Sequence, residues 1–229
     1  MGVGYQGVFC LDNALGNYSM FVCDDDYISK DYIEECVKML SDNPDIVSTY
    51  GTVCLIDEND NIIKRNETFV ARENDYKDRI AKYIQVGSSN YIVSAFLDTN
   101  LYKEVIASHD KNRFCEDQLT MIKLLFFGKF KSSKKAVYHK LNNGCTKDIE
   151  NLKRAFGLYD MTYDNFWEYL AETYKDSLFN DDFYNDKLSH EERKKLQEVS
   201  YKNIKLKYAK KEKTNLLKKI CKMIKTKCG

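Results

Sequence analysis

Tyr18-Ser19-Met20-Phe21-Val22-Cys23-Asp24-Asp25-Asp26 carries an apolar run straight into three carboxylates. The run reads as a short buried strand, which puts the acids at its carboxyl end. In open α/β sheets that edge is where ligands bind. Three adjacent like charges repel unless a cation or solvent screens them. A divalent ion holding a phosphate-bearing substrate is the natural guest for such hard oxygen ligands. The plain alternative is a solvated acidic loop that helps start the next helix. Placement favours a site: a buried strand before, a helix after, and more carboxylate than a helix cap requires.

Outward from this point the chain alternates strands and helices, the pattern of an α/β fold. Upstream, residues 1–17 are weakly patterned, with a helix expected around residues 10–15 that ends at Gly16. Downstream, Ser29 is the expected N-cap of a helix reaching Leu40, with Asp31 in its first turn favoured by the macrodipole. Its apolar positions Tyr32, Ile33, Cys36, Val37 and Leu40 recur with helical period. Asn43-Pro44-Asp45 stops it. Residues 46–56 predict a strand, a turn follows at Asp57-Glu58-Asn59-Asp60-Asn61, and Ile62-Ile63 are the return strand of a hairpin. Further on, helices are expected near 76–85 and over 99–107, with an apolar strand at 91–97 between them. Phe114-Cys115-Glu116-Asp117-Gln118 opens a helix over 119–127, closed by Gly128 as a C′ residue. Residues 129–132 and 136–139 read as a last pair of short strands.

The 229 residues suffice for one sizeable domain plus an appendage, and 43% hydrophobic content supports a real core. Only one proline and ten glycines argue against long linkers or low-complexity segments. Eight cysteines contain no CxxC and no zinc-like pairing with histidine, and several sit inside apolar runs. They read as reduced thiols of a cytosolic protein rather than a disulfide framework. No apolar run approaches the ~20 residues that span a bilayer, and no signal peptide is recognisable. The net charge of +1 conceals an asymmetry: residues 189–229 hold fourteen Lys/Arg against four Asp/Glu, or +10, which leaves −9 for residues 1–188.

Two further groups qualify for chemistry. Glu116-Asp117 head an apolar helix, where the dipole alone favours acids. The same position suits a general base, held rigidly and able to take a proton from a hydroxyl. His139 ends a strand, and its imidazole suits Mn²⁺ and similar ions beside carboxylates. His109 and His190 lie in polar contexts and carry no hypothesis.

Taken in order, the strand ending in Asp24-Asp25-Asp26, the helix headed by Glu116-Asp117 and the strand ending in His139 resemble the family-two, inverting glycosyltransferases of the GT-A fold. The resemblance spans residues 7–140. It is carried by Asn13-Ala14-Leu15-Gly16-Asn17-Tyr18, Asp24-Asp25-Asp26-Tyr27-Ile28, Leu40-Ser41-Asp42-Asn43-Pro44-Asp45-Ile46, Glu116-Asp117 with Gly128-Lys129-Phe130, and His139. It implies that Asp24 and Asp26 are the DxD acids holding Mg²⁺ or Mn²⁺ on a nucleotide diphosphate, with His139 as a further metal ligand. Asp24 and Asp25 would face the nucleotide sugar. Asp117 would be the catalytic base toward the acceptor hydroxyl, with Glu116 beside it. In that family further strands precede the DxD, whereas Met1 stands twenty-three residues before Asp24. The implied fold is therefore an incomplete GT-A-like (Rossmann-like) mixed sheet over residues 1–145. A helical extension over 146–229 would follow.

That extension ends in a basic stretch. Residues 193–227 interleave lysines with Leu206, Leu216, Leu217, Ile220, Cys221 and Ile224, an apolar stripe fit for an anionic membrane surface or for a partner chain. Nucleic acid is disfavoured, because the stretch has one arginine and few aromatics. Two functions stand from this reading. One is a cytoplasmic, membrane-proximal hexosyltransferase, using a nucleotide-sugar donor and a hydroxyl acceptor on a glycan, lipid-linked carrier or protein in surface-polysaccharide or glycan assembly. The other is a non-catalytic, truncated transferase acting as a membrane- or partner-binding module. Catalysis by this polypeptide depends on whether its sheet is complete or complemented.

Overall fold

The computed structural model describes residues 3–66, 69–86, 95–107, 116–142 and 181–203, with 168, 169, 172, 173, 176 and 206 besides. In chain order these form helix α1 (Val3–Asp12), strands β1 (Tyr18–Ser19) and β2 (Tyr27–Ile28), α2 (Tyr32–Ser41), β3 (Ile46–Ile56), β4 (Ile62–Asn66), α3 (Tyr76–Val86), β5 (Phe96–Asp98), α4 (Thr99–Ala107), α5 (Glu116–Phe127) and β6 (Lys129–Leu141). A 3-10 turn at Asp182–Tyr184 leads to a helix over residues 190–203. Positions 91–94, the soft boundary near 145, most of 149–180 and the basic stripe beyond Leu206 lie outside the described residues.

The strands form one mixed sheet in the order β1-β5-β3-β6-β2. β3 is its spine. One edge pairs in parallel with β6. The other edge takes β5 antiparallel at Ser48 and Thr49, then β4 antiparallel from Val53 to Ile56. Parallel pairing of β3 and β6 demands a crossover, and α3, α4 and α5 supply it on one face. The core on that face joins Tyr50, Leu97 and Phe130 to Ile80, Tyr83, Val105, Leu119, Ile122 and Leu125. On the opposite face α2 buries Tyr32, Cys36, Met39 and Leu40 against Val53, Phe96, Ala136 and Tyr138. The result is a three-layer, mixed α/β unit, an incomplete GT-A-like sheet.

The pair of short strands expected over 129–139 is one continuous strand with a bulge. Ser133 pairs with Gly51 but Val137 pairs with Thr52, so three extra residues of β6 are inserted there. An odd insertion inverts the alternation of side chains. Phe130 therefore faces the α3–α5 layer, while Ala136 and Tyr138 face α2. The bulge presses on Gly51, where an added Cβ would lie 2.2 Å from the Ala136 carbonyl oxygen.

Other local expectations shift for similar tertiary reasons. Ser29 does not cap α2. Its N–H donates to the Val137 carbonyl at 2.8 Å and its Oγ accepts from the Val137 N–H at 3.1 Å, so the ladder to β6 takes both groups. Asp31 holds the cap position without a side-chain hydrogen bond. Ile33, expected on the buried stripe, is exposed, and Met39 is buried instead. Of the strand expected over 18–23, only Tyr18 and Ser19 pair among the described residues, with Asp98 and Leu97 of β5. The helix expected around residues 10–15 lies earlier, at Val3–Asp12. Gly128 follows the end of α5 as expected and its N–H closes on the Leu124 carbonyl at 3.3 Å, but its backbone is not left-handed. Glycine is needed there because a Cβ would meet Val47 Cγ1 at 2.5 Å and the Asp45 carbonyl oxygen at 2.7 Å. By contrast α4 starts as expected, with Asp98 Oδ1 accepting from the Leu101 N–H at 2.9 Å.

Residues 181–203 pack on the α3–α5 face. Tyr184 and Leu188 are buried in that core, with Leu196 and Val199 against it. Lys123 of α5 and Asp181 form a buried ion pair at 2.6 Å, and Tyr76 donates to the Lys187 carbonyl at 3.0 Å. Lys77 pairs with Glu192. A reciprocal box caps the final helix: Ser189 N–H donates to Glu192 Oε2 at 2.9 Å, and Glu192 N–H to Ser189 Oγ at 3.3 Å. The cysteines 10, 23, 36 and 54 are free thiols. Among the described residues no helix is long and apolar enough to cross a membrane.

Candidate metal and donor site

The aspartates occupy the turn between β1 and β2, closed by a bond from the Asp26 N–H to the Cys23 carbonyl at 3.1 Å. The three acids have unequal surroundings. Asp24 and Asp25 are exposed, whereas the Asp26 side chain is 1% exposed. A buried carboxylate must find donors, and one strand provides them all. Tyr138 Oη donates to Asp26 Oδ2 at 2.8 Å, and the Leu141 N–H donates to Oδ1 at 2.9 Å. Lys140 Nζ stands 3.6 Å from Oδ2. Asp26 thus fastens the acidic turn to the carboxyl end of β6, and Asp24 and Asp25 are left facing outward.

Cys23, Asp25 and Asp26 each offer a ligand atom, and these atoms all lie within 4.8 Å of one another. The donor set fits a divalent ion: the carboxylate oxygens suit Mg²⁺ or Mn²⁺, and the thiol adds a softer ligand. Burial raises the Cys23 thiol above its ordinary range, an effect that the Lys140 charge opposes and the three aspartates reinforce. Asp24 lies next to this group without belonging to it. His139 lies outside it as well. Its ring stacks on Tyr27, the residue opposite it in the β2–β6 register, with centroids 4.4 Å apart. Tyr27 Oη in turn donates to Asp60 Oδ1 at 3.3 Å. Burial pushes the imidazole pKa down, against the pull of Asp60, and Nδ1 is buried without a hydrogen-bond partner.

Asp117 enters from the other layer. It lies in the first turn of α5, half-buried, and desolvation pushes its carboxyl up to about 6 against the lowering effect of the Gln118 and Asp117 backbone N–H groups. Topology fixes where it lies. α5 packs on the sheet and reaches β6 through Gly128 alone, so the two run antiparallel. Traced back from Gly128, α5 therefore leads toward the end of the sheet that holds Asp26. The parallel pair β3–β6 points its carboxyl ends there, the usual location of ligands in open α/β sheets. The Glu116 side chain lies outside what the structure describes.

Sequence patterning had not singled out Tyr138, Lys140 or Cys23. The first two are two residues apart in a strand ending, which puts them on one face. Their contact with Asp26, more than a hundred residues upstream, leaves no local signal.

No family model and no curated protein matches the chain. Solved structures do. The crystal structure of S. aureus TarS 1–349 superposes with a TM-score of 0.50 at 15% identity, over 92% of this chain and 53% of that one. The same protein in complex with UDP gives a TM-score of 0.43 at 19% identity, over 85% and 57%. A longer form of S. aureus TarS gives 0.40 at 18%, over 83% and 34%. The chain spans about half the length of TarS 1–349. The first superposition gives this protein an α/β fold similar to that of TarS 1–349.

Proposed function

We propose that this chain is a metal-assisted glycosyltransferase that takes a nucleotide-sugar donor. The observation that carries the reading is the acidic turn itself, with a buried Asp26 anchored at the carboxyl end of β6 and Asp24 and Asp25 left exposed, together with a desolvated Asp117 carboxyl at the head of α5. Asp25, with Cys23 and Asp24 beside it and Asp26 as the anchor, would hold Mg²⁺ or Mn²⁺ on the donor diphosphate. When bound, that ion supplies charge neutralisation on the leaving diphosphate. Asp117 would accept the proton of the acceptor hydroxyl as its oxygen bonds to the sugar anomeric carbon. The bond from that carbon to the diphosphate breaks, and the nucleoside diphosphate leaves with the electron pair. A carboxyl poised near 6 is ionised at neutral pH yet basic enough to share that proton. Glu116 would line the acceptor approach, and His139, through its unpartnered Nδ1, would serve the site from beneath Tyr27. The acceptor class is a glycan, lipid-linked or protein hydroxyl, in surface-polysaccharide or glycan assembly.

The test is turnover of a panel of nucleotide sugars by the full chain with Mn²⁺ or Mg²⁺, compared with Asp117→Asn. Turnover that needs the metal and is lost in the variant, with donor binding kept, supports the reading. Turnover untouched by Asp117→Asn contradicts it.

A second reading draws on the +10 charge of residues 189–229. A stretch of that charge would hold a cytoplasmic protein at an anionic membrane surface or a partner chain through residues 193–227. Co-sedimentation with phosphatidylserine vesicles, lost on deleting 207–229, supports it. Unchanged sedimentation sinks it.

A further inference from the structure

The acidic turn carries a cation of its own. Lys140 projects from β6 two residues beyond Tyr138, with Nζ 3.6 Å from Asp26 Oδ2. Its charge also reaches Cys23, a second member of the converging donor group. The lysine side chain is 35% exposed, so it has a route to solvent, whereas the Asp26 side chain has none at 1%. An ammonium on a flexible four-carbon stem is a mobile point charge, unlike the fixed fork of an arginine. Tyr138 and Leu141 N–H already satisfy both oxygens of Asp26, so Lys140 is not required to keep that carboxylate bonded. What Lys140 adds is charge. It offsets the repulsion among Asp24, Asp25 and Asp26 that an acidic turn otherwise suffers.

Resting on the reading of this turn as a cation-assisted diphosphate site, we infer that Lys140 is a built-in counter-ion that competes with the divalent cation for the aspartate cluster. In the metal-free protein the ammonium neutralises Asp26 and lowers the negative potential at the cluster. A dication entering among Cys23, Asp25 and Asp26 meets that positive charge and must drive it outward. The lysine therefore weakens binding of bare metal. A metal that arrives bound to a diphosphate brings negative charge with it, so the same lysine opposes it less. The residue thus biases the site toward the metal–nucleotide complex over the free ion.

The inference is tested by titrating the full chain with Mn²⁺ alone by calorimetry, for the native protein, Lys140→Met and Lys140→Arg. Lys140→Met should bind Mn²⁺ about tenfold more tightly, the scale of one partly screened unit charge at this separation. Lys140→Arg, which keeps the charge, should bind like the native chain. Metal-free Lys140→Met should melt lower than the native protein and show the larger rise in Tm on adding Mn²⁺. Lys140→Gln serves as a second neutral variant, and matching circular dichroism spectra establish that each is folded. Equal or weaker Mn²⁺ affinity in both neutral variants overturns the inference and leaves the site reading standing. Absence of Mn²⁺ binding in every protein overturns both.

Discussion

Tyr138 Oη donates to Asp26 Oδ2 at 2.8 Å across 112 positions of sequence. This bond, with the one from the Leu141 N–H, makes Asp26 the anchor of the acidic turn and leaves its neighbours facing outward. Tyr138→Phe should cost about 1–2 kcal/mol in urea unfolding, the usual loss when one buried hydrogen bond to a charged group is removed. Asp26→Ala should cost more, about 3 kcal/mol, because it leaves two buried donors without their acceptor. A native unfolding midpoint in Asp26→Ala would show that the carboxylate anchors nothing.

Asp117 should leave a signature in pH. Its carboxyl is raised from 3.8 to about 6 by desolvation. As a base it must be ionised, so kcat/KM should fall as pH drops through about 6, and Asp117→Asn should lose about 10²–10⁴ in rate. Stability should move the opposite way. The native state binds the extra proton between 3.8 and about 6, so the penalty for ionised Asp117 is full above about 6 and fades as pH falls to 3.8. The difference in Tm between the Asn variant and the native chain should therefore narrow on acidification. A constant difference from pH 4 to 8 would remove the shifted carboxyl from the account.

Lys123 and Asp181 form a buried pair whose side chains are 0% and 6% exposed. Their ion pair ties residues 181–203 to α5. Asp181→Asn takes the carboxylate away from a buried ammonium, and the expected loss is about 3–5 kcal/mol in a single cooperative transition. Two separate transitions in the native chain would instead mean that residues 181–203 unfold independently of the sheet.

Gly51 sits under the β6 bulge with no room for a side chain. Gly51→Ala drives a methyl into backbone rather than into a flexible side chain, and should destabilise by about 2–4 kcal/mol. Hydrogen exchange should then be fastest at Val137 and Ser29, whose mutual bonds depend on the bulge geometry.

Much of the architecture was legible before any coordinates. β3 ends where Asn43-Pro44-Asp45 and Asp57–Asn61 place its ends, and α4 starts behind Asp98, because those boundaries are set by local backbone chemistry. The positions that escaped reading are governed by distant partners. Ser29 has the residue type of an N-cap, yet β6 takes its hydrogen bonds. Lys129 to Leu141 reads as two strands because Lys134 and Lys135 interrupt the pattern, when the interruption is a three-residue bulge that turns the strand over. Glu192 three residues after Ser189 is a legible capping box, although lysines dominate the stretch around it. At the candidate site the acids announced themselves by charge density. Their division into one buried anchor and two outward-facing acids depends on Tyr138, Lys140 and Leu141, which no spacing links to Asp26.

Calorimetric titration of the full chain with UDP, with and without Mn²⁺, compared with Asp25→Asn, tests most directly whether the outward face of the turn holds a metal–diphosphate. Binding should require Mn²⁺ and weaken at least about tenfold in Asp25→Asn, as loss of a metal ligand does. UDP binding that is indifferent to both Mn²⁺ and Asp25→Asn, or no binding under any condition, would contradict it.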